Sequence, residues 1–185
     1  MMTRLIPILV VVSATQVMQP IIIKTADMEL GLLPRSPDQI ISFYEARGFP
    51  RSMQDVLRKQ CFITTGISNH SNKKIWLDLE SWEFHKDGNP IKRYHRNEGK
   101  QRWQKMDIPM SKQSTFRWTL IPETLDYLPG EHKVGNVILP FTEGYFSLKS
   151  TLKTGDDKQG KVITITKDIL YCAEDATEAA SEGAK

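Results

Sequence analysis

The chain has 185 residues, of which 39% are apolar and 25% charged, with a formal net charge of +3. These proportions are those of an ordinary soluble protein, favour one domain over two, and supply a core that needs neither a metal nor a dense set of disulfides to fold. So mild a charge argues against a protein that binds nucleic acid over its whole surface.

Arg4 followed by the uncharged run Leu5 to Ala14 fits a secretory signal peptide, with Val12 and Ala14 placed for cleavage. A buried N-terminal strand through Ile21, Ile22 and Ile23 is the competing reading, and Gln16, Gln19, Pro20 and Lys24 interrupt any span-length helix. Residues 1–26 are therefore expected to be a signal peptide or N-terminal extension, and the protein to be periplasmic or secreted. Residues 27–60 read as a linker and two short helices. Ser36-Pro37-Asp38-Gln39 combines an N-cap serine, proline at the first helical position and a capping-box glutamine. Ile40, Phe43, Tyr44 and Arg47 then share a face, and Gly48 before Pro50 ends the helix. Ser52-Met53-Gln54-Asp55 repeats the start signal, with Val56 and Leu57 as its stripe. Phe43, Tyr44 and Phe49 read as core, with an aromatic docking surface as the alternative.

From Cys61 the periodicity changes to two. Ile63, Thr65 and Ile67 alternate with polar or small residues, as do Ile75, Leu77 and Leu79 beyond the polar stretch 69–72, which predicts a half-buried hairpin. Trp82 and Phe84 fall out of phase, and one extra residue near Ser81 returns both to the core face. Lys86-Asp87-Gly88-Asn89 is a turn, Pro90 to Arg96 an edge strand, and Asn97 to Met106 a helix with Trp103 and Met106 inward. Ser114 to Leu120 alternates again, which predicts a strand with Phe116, Trp118 and Leu120 in the core. Leu128 to Glu131 is a turn; Gly135–Leu139, Tyr145–Leu152 and Val162–Thr166 are strands, and Ile169 to Cys172 closes the domain. The expected fold is mainly β: an immunoglobulin-like β-sandwich of about seven strands with short accessory helices, over residues 61–172. The acidic, aromatic-free stretch 173–185 reads as a disordered tail.

The stretch from Gly66 to Trp76, the Asp87-Gly88 turn and the Leu128-Pro129-Gly130-Glu131 turn leading to Gly135 and Val137 resemble small extracytoplasmic immunoglobulin-like domains of Gram-negative bacteria. That resemblance spans residues 61–152. It implies a module that binds or shields a partner without performing chemistry.

The sequence carries no Gly-rich phosphate loop, GxSxG, HExxH or CxxC, so the expectation is a non-enzyme with no cofactor and no small-molecule substrate. Cys61 and Cys172 are even in number and follow an apparent export signal, which predicts a disulfide; two buried thiols are the alternative. Among the histidines, His85 and His95 flank the Asp87 turn and are the metal-ligand candidates. Met106 and Met110 would be soft partners of the kind a periplasmic copper site uses, against the plainer reading of solvated turn histidines. Asp78 and Glu80 read as the wet face of a strand.

The remaining signal is charge. Residues 86–112 hold Lys86, Lys92, Arg93, Arg96, Lys100, Arg102, Lys105 and Lys112 against Asp87, Glu98 and Asp107, interleaved with Tyr94 and Trp103. Lys92, Arg93, Tyr94, Arg96, Arg102 and Trp103 are the binding candidates. They suit an anionic polymer, with a solvated helix face and a protected edge strand as the alternative. The function expected from sequence is a binding or accessory module engaging a protein partner in the cell envelope. A periplasmic metal-binding protein, copper in particular, and an anionic-polymer binder are the rivals.

Overall fold

The computed structural model describes residues 19–175. Ten strands run in chain order: β1 Ile21–Lys24, β2 Met28–Arg35, β3 Gln60–Asn69, β4 Ile75–Asp78, β5 Glu83–Lys86, β6 Asn89–Ile91, β7 Thr124–Tyr127, β8 His132–Pro140, β9 Tyr145–Thr154 and β10 Val162–Tyr171. The helices are α1 Pro37–Glu45, α2 Arg51–Leu57, α3 Gly99–Lys105 and α4 Met110–Thr119.

The first sheet has the order β1-β2-β3-β8, antiparallel throughout. Met28, Leu30 and Leu32 of β2 alternate inward. The stretch expected as a linker is thus a strand, and Ile21–Ile23 belong to its partner; Gly31 and Pro34 had hidden the period of two. Residues 1–18, which carry the signal-peptide reading, lie outside the described residues.

β3 and β4 do not form the expected hairpin, because they belong to different sheets. The turn between them is a corner built on Asn69, whose buried Nδ2 donates to the carbonyls of Lys73 and Tyr127 while its Oδ1 accepts from the amide and hydroxyl of Ser71. A side chain that satisfies four groups diverts the chain across the core instead of folding it back. In the second sheet β10, β4 and β5 all pair with β9, β7 pairs with β4, and β6 with β5. A single 3-10 turn at Leu79–Ser81 separates β4 from β5 and returns Trp82 and Phe84 to the interior, performing the phase correction anticipated near Ser81.

Two apolar clusters follow. One lies between the sheets and gathers residues such as Leu30, Ile63, Leu77, Phe84, Val137, Phe146, Leu148 and Ile165. The other lies between the helices and the outer face of the first sheet, where Phe62 and Ile138 meet Ile40, Tyr44, Met53, Trp103 and Phe116. The fold is therefore mixed α/β, 23% helical, with two open sheets of four and six strands; it is not a seven-stranded immunoglobulin-like sandwich. Ser114 to Thr119 are the end of α4 and not a strand, and Leu120 is its extended C-cap, bridging Asn136. Phe116 and Leu120 are four apart, so one helix face buries both, whereas Trp118 falls on the other side and is 80% exposed. α1 begins with the expected capping box, Ser36 with Gln39, but buries Ile40, Ile41 and Tyr44 and leaves Phe43 at the surface.

Cys61 in β3 and Cys172 after β10 form a disulfide across a sequence separation of 111, tying the first sheet to the second. Beyond it the chain stays packed: Ala173 is buried, and the buried Asp175 accepts from the amide of Asp38 at 2.7 Å and from Arg58 at 3.2 Å. The acidic tail thus starts as part of the fold, and residues 176–185 lie outside the described residues. An oxidising, extracytoplasmic compartment is consistent with this bond.

Removing the disulfide by Cys61→Ala with Cys172→Ala should lower unfolding free energy by about 5 kcal/mol, read from denaturant titration, since a long loop is released in the unfolded chain. Phe84→Ala should cost about 3–5 kcal/mol in the same assay. Trp118→Ala should leave the denaturation midpoint close to that of the parent, because its ring is already in water.

Candidate metal centre

The β5–β6 hairpin turns through Asp87 and Gly88, both left-handed at φ 50° and 79°, as a two-residue hairpin requires. After β6 the chain leaves the second sheet and reaches the first, where the Tyr94 amide donates to the carbonyl of Ile138 at 2.8 Å. Residues 92–98 are thus a strap between the sheets. The strap and the 3-10 turn border a groove of about 560 Å³ whose lining includes Glu80, Trp82, His85, Arg93, His95 and Glu98.

The strap disperses the expected basic surface. Lys92 is exposed and pairs with Glu98 at 3.0 Å. Arg93 turns inward, with only 10% of its side chain exposed, and grips Glu123 through both terminal nitrogens at 2.6 and 3.2 Å. Arg96 donates through Nε to the carbonyl of Arg117 and lies 5.8 Å from the Trp118 ring. Arg102 is exposed beside Trp103. Tyr94 and Trp103 both pack edge-on against Phe116, so the two aromatics expected as binding residues belong to the helix-layer core. Gly99 is required beneath them, because a Cβ there would collide with the Tyr94 hydroxyl and the Trp103 indole nitrogen.

What the strap does assemble is a ligand set. One donor atom each from Glu80, His95 and Glu123 lies within 4.8 Å of the others. Glu80 comes from the 3-10 turn and is exposed; His95 and Glu123 are half-buried, with His95 Nε2 3.8 Å from Glu123 Oε1. Burial pushes the Glu123 carboxyl up, but the Arg93 guanidinium and the Arg96 amide, which donates to Oε1 at 2.6 Å, outweigh it and hold the group below the ordinary glutamate range. Glu123 is therefore a fixed carboxylate. Arg93 also reaches Glu80 at 3.5 Å and is the resident counter-charge of both acids. His95 Nδ1 accepts from the Asn97 amide at 3.2 Å, which places the neutral ring's proton on Nε2. A cation held at Nε2 would require that proton on Nδ1 and the loss of the Asn97 bond.

His85 and His95 do open on one groove, yet the donors that converge with His95 are Glu80 and Glu123. Met106 packs against the helix-layer core and Met110 stands exposed at the start of α4, so the soft copper-type set is not assembled. Positions 80, 95 and 123 carry no spacing motif. Only the corner at Asn69, the 3-10 turn and the strap bring them together.

No protein-family model matches the chain, and no curated protein matches it. Two solved structures are similar at 9% identity: the ycdA protein from Bacillus subtilis, with a TM-score of 0.43 over 88% of this chain, and the yjhA protein from Bacillus subtilis, with 0.34 over 50%. This chain spans 41% of the first and 56% of the second.

Glu123→Gln should destabilise the protein by about 3 kcal/mol at neutral pH, because Arg93, its side chain only 10% exposed, then keeps only the longer 3.5 Å contact to Glu80 as a carboxylate partner. A carboxyl whose folded pKa is lowered contributes stability that is full above its unfolded value and lost as pH falls through the folded one. Chemical denaturation from pH 6 down should therefore show the parent losing its advantage over Glu123→Gln below about pH 4.5, the ordinary glutamate value.

Proposed function

We propose that the protein is a non-catalytic, extracytoplasmic binding module whose groove ligand is a divalent transition cation held by Glu80, His95 and Glu123. The convergence of three donor atoms within 4.8 Å carries this reading, since the three residues have no common neighbourhood in sequence. Two carboxylates and one imidazole form a nitrogen-oxygen set without sulfur, which suits zinc-like divalent ions better than Cu(I). Glu80 and His95 line the groove and Glu123 does not, so an ion held by all three would sit at the groove's wall and keep water ligands on its open side. The disulfide supports the extracytoplasmic placement, and an accessory role in the cell envelope goes with it.

Arg93 sets the character of the site. Its guanidinium holds Glu123 as a carboxylate and neutralises much of the local negative charge, so cation binding requires Arg93 to release Glu80 and slacken its hold on Glu123. The tautomer change at His95 adds to that cost.

Calorimetric titration of the whole chain with Zn²⁺ in chelator-treated buffer should show one site. His95→Ala should abolish it, and Arg93→Gln should tighten it by removing the competing cation. Zn²⁺ binding that is absent at millimolar concentration, or unchanged in His95→Ala, would reduce the cluster to an ion-pair network.

A further inference from the structure

A different groove, of about 350 Å³, lies where the helical layer stops and the outer face of the first sheet becomes bare. Phe43 from α1 and Trp118 from α4 stand along it, 38% and 80% exposed, above a floor that includes Thr64 of β3 and Asn136 of β8. Phe43, Trp118 and Val134, the last 59% exposed, gather along this one groove, and an exposed apolar patch of that kind marks a contact surface.

The polar groups beside the ring have one sign. Arg35 Nε donates to Thr64 Oγ1 at 3.0 Å, and Thr64 Oγ1 donates to Asn136 Oδ1 at 2.9 Å, which pins the arginine stem against the sheet. The terminal nitrogens of Arg35 have no carboxylate partner among the described residues, and no acidic side chain lines the groove. Gln39 Oε1 is occupied by the Ser36 amide, so its NH₂ remains. What the groove offers is a planar ring beside donors, a guanidinium fork among them, with the Arg96 guanidinium 5.8 Å from the Trp118 ring as a second cation.

We propose that this groove binds a uronic-acid residue of an acidic polysaccharide. Trp118 stacks on the C–H face of the sugar ring, Arg35 takes the carboxylate in a two-point clasp, and Gln39 donates to a ring hydroxyl. Two features decide the class of ligand. A nucleic-acid strand is tracked by a run of cations and successive stacking rings, whereas Arg35 is the one cation in the groove lining and Trp118 the one ring there that is more than half exposed. A folded protein partner needs roughly 800 Å² on each side and would have to reach well beyond this groove, whereas one sugar ring needs only Trp118 and the donors beside it.

The test uses the full chain with three probes: oligogalacturonate, the same oligosaccharide fully methyl-esterified, and single-stranded DNA. The parent should bind the free acid, and Trp118→Ala and Arg35→Gln should each weaken binding by about tenfold or more. Arg35→Gln should also lose the preference of the free acid over its ester, a change that misfolding would not produce. Trp118→Ala should melt with the parent and still bind Zn²⁺, and His95→Ala should still bind the sugar, so this proposal and the metal reading fail separately. Undiminished binding by Trp118→Ala, equal affinity for acid and ester, absence of binding to the acid, or DNA binding of equal strength through the same residues would each overturn it.

Discussion

The structure depends on burial of one end of the first sheet from both sides. Cys61-Phe62-Ile63 in β3 face Leu139-Ile138-Val137 in β8 in register, and all six residues are buried. Successive side chains of a strand point to opposite faces, so three consecutive buried residues require cover above and below. Cys61, Ile63, Val137 and Leu139 face the second sheet, while Phe62 and Ile138 face the helices. Neither cover can be omitted. A two-sheet protein without helices would leave Phe62 and Ile138 in water.

The helical layer covers only that end. Toward the far end of β3 and β8 the outer face is open: Val134 is 59% exposed, and Ser68 meets His132 across the strands at 2.8 Å. The step between covered and bare sheet produces a groove, and α4 ends at that step, which is why its outward Trp118 overhangs it. The strap of residues 92–98 makes the second groove by crossing from one sheet edge to the other. Both concave sites are thus consequences of layering, and neither rests on a local motif.

Inside the strap, electrostatics and topology are inseparable. Arg93 pairs with Glu123 from the segment before β7, and the Arg96 amide bonds the same carboxylate, so one acid fixes two points of the strap. The pair is half-buried and well coordinated, a geometry in which losing one partner costs more than the pair contributes net. The same acid is the central donor of the ligand cluster. Whatever holds the strap therefore also sets the charge state of the candidate metal centre.

The sequence alone determined the features that are local or alternating. The α1 capping box, the α3 helix, the Asp87-Gly88 turn, the out-of-phase Trp82 and Phe84, and the core residues Ile63, Ile67, Leu77 and Phe146 were legible because cap chemistry, left-handed turns and period-two burial act over a few residues. The disulfide was legible from parity and export context. The alternation from Cys61 onward suggested a two-layer sandwich, and the burial of 61–63 and 137–139 from both sides became visible only with the helices in place. Tertiary structure decided the rest. It sent β3 and β4 to different sheets through the Asn69 corner, made 110–119 a helix with Trp118 outside, and turned Tyr94 inward. It gathered Glu80, His95 and Glu123, because proximity between distant segments is fixed by how layers pack and leaves no periodic trace in the chain.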